Sequence, residues 1–239
     1  MSDRDSELLY GRNSVREALR GRRRVLRLVG DERALKGLGD GLVAGADQSR
    51  TASRAELDEL TGSREHQGLA AVVEPYPYAE PAELLAAEDA LVVVLDQVQD
   101  PQNLGAVCRS AEGAGASGVV IPTRRAAAVT PAAARASAGA VEHLPVARAV
   151  NVASFLREGK DRGAWVYGAE AGAETVYSGV DWTGRAVLVL GGEGKGLRPL
   201  VAETCDVLVS IPLAGKVESL NVGAAATAIL FEAARQRRR

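Results

Sequence analysis

Apolar and polar segments alternate along this chain in a way that predicts strands alternating with helices from about residue 90 onward. Positions 91–95 are all apolar, which is typical of a parallel strand covered on both faces. A helical segment follows at 103–116. Further strands are predicted at 119–121, 165–167, 187–190 and 207–211, with a last helix from about 220 to 235. This alternation indicates an α/β domain with a mostly parallel sheet and helices on both faces.

The first 75 residues are predicted to form a smaller α/β unit. A helix is expected to begin at Asn13 as N-cap, before a strand in the apolar run 25–29. Ser53 followed by Glu56 is a capping box, which predicts the start of a second helix. A further strand is predicted at 68–73.

Prolines divide this unit from the larger one. Pro75, Pro77 and Pro81 interrupt the pattern, which predicts a linker with a short helical turn. We therefore expect a small domain over 1–75, a linker over 76–88 and a larger domain over 89–239. Within the larger domain, the alanine-rich stretch 126–140 is also predicted to be helical.

Composition restricts the class of protein. Apolar residues make up 46% of the chain but aromatic residues only 4%, so the core must consist mainly of Val, Leu and Ala. The N-terminus lacks the features of a secretion signal and no apolar run is long enough to span a membrane, so we expect a cytoplasmic protein. The cysteines and histidines, Cys108, Cys205, His66 and His143, show no ligand spacing, so no structural metal is expected.

The net charge of −2 conceals a clustering of arginines. Several cations on one face are what phosphate binding needs, although a solvated helix face explains any single group equally well. The early cluster comprises Arg12, Arg16, Arg20, Arg22, Arg23, Arg24 and Arg27, and a second group is Arg124 and Arg125.

Three clusters of polar or glycine residues could carry chemistry. The first, at 96–109, lies where a buried strand ends and a helix begins, and ligands of open α/β sheets bind at such ends. Asn103 in it is either a helix cap or a functional group. Arg109 lies among apolar and small residues six positions further on, so it must find an anion or reach solvent.

The second cluster is a glycine-rich segment at 191–196, directly after a predicted strand. It fails as a P-loop, because Lys195 is followed by Gly196 and position 189 is Val. It also fails as a dinucleotide fingerprint, because its glycines alternate with single residues. Glu193 is an unusual choice for a simple turn, which favours a function for this loop.

The third cluster, at 210–222, joins a predicted strand to the last helix. Either Ser219 or Asn221 could be the N-cap of that helix, which leaves at least one of the two side chains for another role. The helix itself carries small apolar residues and should pack closely against another surface.

Together the three clusters resemble, in order, the three motifs of the SpoU/TrmH family of RNA 2′-O-methyltransferases, part of the SPOUT class. The resemblance covers roughly residues 90–236. Residues 10–13 and 66–68 resemble the small substrate-binding domain found in the branch that methylates guanosine of 23S rRNA.

The resemblance implies a fold, a cofactor, a partner and a set of site residues. It implies a deep C-terminal trefoil knot and a homodimer. The implied reaction transfers a methyl group from S-adenosylmethionine to a ribose 2′-hydroxyl, most specifically of a guanosine in 23S rRNA, and it needs no metal. The implied catalytic set is Asn103, Arg109, Glu193, Ser219 and Asn221. The implied cofactor contacts are Gly191, Gly192, Gly194, Ile211, Leu213 and Leu220. The expected RNA-binding residues are Arg12, Arg16, Arg20, Arg22, Arg23 and Arg24.

Other functions remain open from sequence. A tRNA-modifying or resistance-type rRNA methyltransferase differs mainly in the N-terminal domain. A non-catalytic RNA-binding protein with the same fold is a further alternative, and cofactor binding separates the two classes. A dinucleotide-dependent or nucleotide-hydrolysing enzyme is disfavoured by the glycine spacing.

Overall fold

The computed structural model describes residues 6–192, 194 and 196–238, which form two sheets. The first is a four-stranded sheet in the order β1-β4-β2-β3, in which β4 runs antiparallel to β1 and β2 while β3 runs parallel to β2. Its strands are β1 Glu7–Tyr10, β2 Val25–Gly30, β3 Ser49–Thr51 and β4 Leu69–Val73, and its helices are α1 Arg12–Arg20, α2 Glu32–Leu38, α3 Asp40–Val43 and α4 Arg54–Thr61.

The predicted caps of this unit had different outcomes. The capping box is confirmed: Glu56 N donates to Ser53 Oγ at 3.3 Å, and the Glu56 carboxylate accepts from Ser53 N at 2.7 Å. The prediction that Asn13 caps the first helix was wrong. Gly11, with a φ of 94°, turns the chain directly out of β1, so α1 already begins at Arg12.

The second sheet has seven strands, all parallel, in the order β7-β6-β5-β10-β8-β11-β9, which confirms the mostly parallel α/β fold. Its strands are β5 Leu91–Asp96, β6 Gly118–Pro122, β7 Val146–Ala149, β8 Trp165–Ala169, β9 Thr175–Val176, β10 Ala186–Gly191 and β11 Val207–Ser210. Its helices are α5 Pro101–Gly113, α6 Pro131–Ala136, α7 Val152–Asp161, α8 Pro199–Thr204 and α9 Val222–Arg237. Short 3-10 helices occur at Pro81–Leu85, Ala140–Glu142 and Tyr177–Gly179.

Both faces of this sheet are buried, as the unbroken apolar run in β5 predicts. Successive side chains of a strand point to opposite faces. Leu91, Val93 and Leu95 accordingly join a core with residues of α5, α6 and α9. Val92 and Val94 join a second core with residues of α7. Helices on both faces leave the ends of the strands as the accessible edges of the domain.

Several boundaries in this domain differ from the sequence-based prediction. α5 begins two residues before Asn103, because the Asp100 carboxylate caps it by accepting from Gln102 N at 2.9 Å. Asn103 is therefore not the cap. In the alanine-rich stretch only Pro131–Ala136 is α-helical, since Thr130 caps its start and Ala138 turns the chain with a φ of 53°. Within the described part of the chain, no helix is both long and apolar enough to cross a membrane.

A buried ion pair joins the two units. The Arg23 guanidinium donates to both carboxylate oxygens of Glu142 and, at 2.7 Å, to Glu7. The side chains of Arg23 and Glu142 have no exposed surface. The expectation that Arg23 contacts RNA is therefore corrected, because its guanidinium is enclosed between the two units. Tyr76 also belongs to this junction, since its hydroxyl accepts from Val146 N at 3.2 Å.

Replacing Arg23 with Ala should lower the free energy of unfolding by about 3–5 kcal/mol, because the Glu142 carboxylate would be left buried without its partner. Removing both charges in Arg23→Met/Glu142→Leu should cost much less. Arg22→Ala is the matched control, since Arg22 is exposed and its guanidinium donates to the carbonyl oxygen of His143 rather than to a carboxylate. Urea unfolding of the four proteins measures the effect. Equal stability of Arg23→Ala and Arg22→Ala would contradict the structural role.

Candidate functional site

The three sequence clusters meet at the carboxyl edge of the parallel sheet. Leu190 of β10 and Val209 of β11 both pair with Ala169 of β8, so these strands end at the same level. Gly191 of β10 pairs in the same way with Asp96 at the end of β5. Since neighbouring strands lie about 4.8 Å apart, the ends of β10 and β11 are separated by about 10 Å. The loops that follow β5, β10 and β11 therefore border one region.

The glycine loop that follows β10 folds back onto itself. Gly196 N donates to Gly192 O at 3.1 Å, and a Cβ added at Gly191 would overlap the carbonyl carbon of Gly196. A Cβ at Gly192 would lie 2.7 Å from the carbonyl oxygen of Gln97, in the loop after β5. This close approach of three backbone segments requires glycine. Glu193 and Lys195, also part of the cluster, lie outside the described residues.

A buried carboxylate fixes this loop to the end of β5. Asp96 is fully buried, and its carboxylate accepts from the backbone N of Arg198 at 2.9 Å and from its Nε at 2.8 Å. A buried charge needs such partners. Sequence reasoning missed Arg198, although a carboxylate directly after an apolar strand was a signal that a cation should be sought.

The first and third clusters are joined by a direct hydrogen bond between Asn221 and Asn103. Asn221 is the N-cap of α9, and its Oδ1 accepts from the backbone N of Gly223 at 2.9 Å. Its Nδ2 donates to Asn103 Oδ1 at 2.8 Å. The choice that the sequence left open is thereby settled in favour of Asn221 as the cap. The two asparagine side chains hold the N-terminal turns of α5 and α9 together.

Small residues allow these helices to approach closely. A Cβ at Gly223 would lie 2.9 Å from the Cβ of Ala106. One turn further along, the hydroxyls of Ser110 and Thr227 are 2.6 Å apart. The relative position of Asn103 and Asn221 is therefore supported by packing as well as by their own hydrogen bond.

Neither Arg109 nor Ser219 takes part in the hydrogen bond between Asn103 and Asn221. Arg109 is exposed on α5 and lies about 9 Å along the helix axis from Asn103, given six residues at 1.5 Å each. Ser219 is exposed two residues before Asn221. The fold thus brings Asn103, Asn221 and the glycine loop to one edge and presents Arg109 to solvent beside them.

The residues expected to contact S-adenosylmethionine lie along this edge. Ile211 is half-buried, whereas 38% of Leu213 and 41% of Leu220 are exposed, in a segment without helix or strand. Exposed apolar side chains beside an open glycine backbone suit a ligand that combines an apolar ring with several polar groups. The chemistry of this donor set fits the expected cofactor.

The cysteines offer no nucleophile and no metal site at this edge. Burial raises the pKa of the Cys108 thiol to about 12 and that of the Cys205 thiol to about 12, so both are protonated at neutral pH. Among the residues that the structure describes, no group of three or more His, Cys, Asp or Glu side chains could hold a metal ion.

The arginines of the early cluster occupy two kinds of environment. Arg12, Arg16 and Arg20 share one face of α1, since they are spaced by four residues. Arg16 and Arg20 both pair with the Glu17 carboxylate, at 2.8 and 3.4 Å. Two further arginines, Arg22 and Arg24, are exposed, while Arg23 is buried as described above.

Two family models match this chain. Residues 90–231 match the SpoU rRNA methylase family, and residues 8–79 match a model described as RNA 2′-O ribose methyltransferase substrate binding. The first covers the seven-stranded sheet with α5 to α8 and the first part of α9, and the second covers the four-stranded sheet except for Glu7. The matched regions contain the three clusters and the early arginines, respectively.

Individual proteins agree with these matches. A protein of Mycobacterium tuberculosis named "uncharacterized tRNA/rRNA methyltransferase" is 46% identical over 249 residues, covering 98% of this chain and 76% of the relative. An AdoMet-bound rRNA methyltransferase from Sinorhizobium meliloti superposes with a TM-score of 0.83 at 28% identity, covering 98% of this chain and 89% of that one. A TrmH/SpoU tRNA modifying enzyme of A. aeolicus gives 0.56 at 30% identity, covering 66% and 80%.

Asn221→Ala should lower the free energy of unfolding by about 1 kcal/mol, because α9 loses its N-cap. Asn221→Asp should retain most of the stability, since its carboxylate still accepts from the helix amides while the donor to Asn103 is lost. Asn151→Ala is the matched control, because Asn151 caps α7 in the same way, accepting from Ser154 N at 3.1 Å. Urea unfolding compares the three. If Asn221→Asp were as unstable as Asn221→Ala, capping would not be the stabilising role.

Proposed function

Because this chain belongs to the SpoU rRNA methylase family, an AdoMet-dependent family of RNA methyltransferases, we propose that it methylates a ribose 2′-hydroxyl, most specifically of a guanosine in 23S rRNA. The observation that carries the proposal is the meeting of three motif segments at one sheet edge. There Asn103 bonds Asn221 at 2.8 Å, and the glycine loop packs against the segment that precedes α5.

The length of the matches supports rRNA over tRNA as the substrate. The rRNA methyltransferase of Sinorhizobium meliloti matches 98% of this chain, whereas the tRNA modifying enzyme of A. aeolicus matches 66%. The 2′-hydroxyl as acceptor is supported by the substrate-binding model that matches residues 8–79. That hydroxyl exists only in RNA, so the reaction itself discriminates against DNA.

We assign cofactor binding to the glycine loop and the segment after β11. Bound S-adenosylmethionine supplies an activated methyl group on its sulfonium. The backbones of the loop glycines can approach its polar groups closely, and the exposed leucines can cover its apolar surface. The residues in these roles are Gly191, Gly192, Gly194, Ile211, Leu213 and Leu220.

We assign the electrostatic part of catalysis to Arg109. Arg109 is given an electrostatic role because a guanidinium presents a fork of N–H donors and no acceptor. It stabilises the negative charge that develops on the ribose 2′-oxygen while the proton of that hydroxyl passes to solvent water, and it grips the adjacent phosphate. Asn103, Asn221 and Glu193 orient the reacting groups, and Ser219 fixes the loop before α9. Rigid positioning of both substrates accounts for much of the acceleration in a displacement of this type.

The proposed quaternary structure and chain path are those that the family resemblance implies. We propose a homodimer that buries the outer face of α5 and α9. On this face 45% of Phe231 is exposed, and Phe231 lies beside Gly113. We also propose that the C-terminal part of residues 89–239 forms a deep trefoil knot.

RNA docking is assigned to the N-terminal unit. We propose residues 1–75 as the substrate-binding domain, 76–88 as the linker and 89–239 as the catalytic domain. The proposed phosphate contacts are the exposed or half-buried arginines of the early cluster, because neighbouring cations on one face suit an RNA backbone. They are Arg12, Arg16, Arg20, Arg22 and Arg24.

Incubation with methyl-labelled S-adenosylmethionine and, separately, unmodified 23S rRNA, 16S rRNA and tRNA tests the proposal. Digestion should place the label in 2′-O-methylguanosine from 23S rRNA. Label in tRNA would retain the chemistry but overturn the assigned substrate. Absence of both label and cofactor binding would contradict the enzymatic function.

Arg109→Lys should lower turnover by about 100-fold, because a single ammonium cannot replace a bidentate grip on oxyanion and phosphate. The dissociation constant for S-adenosylmethionine should not change. Arg157→Lys, on the exposed side of α7, is the control and should behave as the wild type. Near-normal turnover of Arg109→Lys would rule out bidentate gripping.

A further inference from the structure

A second cleft opens at the same sheet edge, next to the proposed active site. It has a volume of about 560 Å³ and lies at the ends of β6 and β7, beside the first residue of α7. Its lining includes Gln97, Arg124, Arg125, Val150 and Arg198. None of the proposed catalytic or cofactor residues is among its described lining.

The lining of this cleft is strongly cationic. Arg124, Arg125 and Arg198 contribute three guanidinium groups, and no acidic side chain belongs to the described lining. Arg198 is committed in part to Asp96, but 44% of its side chain is exposed. Arg124 and Arg125 are exposed and have no ion-pair partner among the described residues. Such a concentration of positive charge favours an anion.

The neighbouring Arg148, in contrast, is occupied by contacts within the protein. It stacks on Tyr78, 3.7 Å from the ring centroid, and donates to the Tyr78 hydroxyl at 2.8 Å. Arg148 thus has a structural role. Nothing comparable holds Arg124 or Arg125 within the described part of the chain.

Backbone strain is concentrated in the same cleft. Four described residues other than glycine have a positive φ, and two of them, Gln97 at 64° and Arg125 at 56°, line it. Residues other than glycine rarely adopt a positive φ, and those that do cluster at ligand-binding sites. A glycine at position 125 would remove the strain, yet the chain places an arginine there.

The cleft also adjoins the glycine loop. Gln97 lines the cleft, and its carbonyl oxygen is the atom that a Cβ at Gly192 would approach to 2.7 Å. Arg198 follows the loop directly and ties it to β5. An anion in the cleft would therefore lie beside the loop assigned to the cofactor. Val150, which is 90% exposed at its rim, adds an apolar contact for a ribose or base.

We propose that this cleft binds a backbone phosphate of the RNA strand, adjacent to the nucleotide that receives the methyl group. The inference rests on the proposed function and adds a substrate contact within the catalytic domain. Phosphate contacts fix the register of a nucleic acid on a protein without reading its sequence. The cleft thus sets which ribose reaches the active site once the N-terminal unit has docked.

The test compares the wild type with the double variant Arg124→Gln/Arg125→Gln. Binding of an unmodified 23S rRNA transcript is measured at several KCl concentrations, together with S-adenosylmethionine binding. The double variant should bind RNA at least about tenfold more weakly at low salt. The slope of the logarithm of the binding constant against the logarithm of the KCl concentration should be smaller in magnitude by about 0.7–0.9 for each lost phosphate contact. Its affinity for S-adenosylmethionine should equal that of the wild type.

Arg157→Gln is the matched control, since Arg157 is exposed in the same domain but lies outside the cleft. If the double variant bound RNA as Arg157→Gln does, the inference would be overturned. ATP serves as a probe for a free nucleotide in the cleft. If the double variant lost ATP binding but kept its RNA affinity, the inference would also be overturned. Failure of the proposed function is distinguishable, because it shows as absence of methyl transfer by the wild type.

Arg125→Gly separates binding from folding. Glycine accepts a positive φ without strain, so the thermal midpoint should rise or stay constant, whereas RNA affinity should fall. Unchanged RNA affinity in this variant would overturn the inference, because Arg125 would then have no role in the contact.

Discussion

The desolvated carboxylate of Asp96 is the constraint on which the arrangement of the site depends. It lies at the end of an interior strand with no exposed surface, so it must be neutralised by groups that the fold supplies. Arg198 supplies both a backbone and a side-chain donor. Because Arg198 ends the glycine loop, satisfying one charge also fixes that loop beside the segment leading into α5. The carboxyl edge of the sheet is thus organised by a group outside the proposed catalytic and cofactor-binding residues.

The parallel sheet and its edge were predictable from sequence because they follow from local pattern. The apolar run of β5 and the Ser53–Glu56 capping box are each formed by residues that are close together in the sequence. Contacts between distant segments were not predictable in this way. Neither the burial of Arg23 nor the bond between Asn103 and Asn221 has a local signal, since the partners are 119 and 118 residues apart. For the site, residue types were readable, whereas their mutual geometry was not.

Arginine illustrates why residue type alone is insufficient. In the early cluster, Arg23 is paired with the buried carboxylate of Glu142, whereas Arg12 and Arg20 are exposed on one helix face. At the sheet edge, Arg148 is stacked on an aromatic ring, while Arg124 and Arg125 line a cleft. The same guanidinium is structural where an anion or ring is already present, and available where none is. Burial and partners, which only the fold reveals, decide between these roles.

The hydrogen bond between Asn103 and Asn221 also has a consequence for how activity arises during folding. It closes a segment of 118 residues, about half of the chain, and this segment contains six of the seven strands of the parallel sheet, β6 to β11. Contacts of such long range form slowly, after local structure. The two asparagines therefore meet only when the sheet between them has assembled. An incompletely folded chain therefore lacks the paired arrangement of Asn103 and Asn221 at the sheet edge.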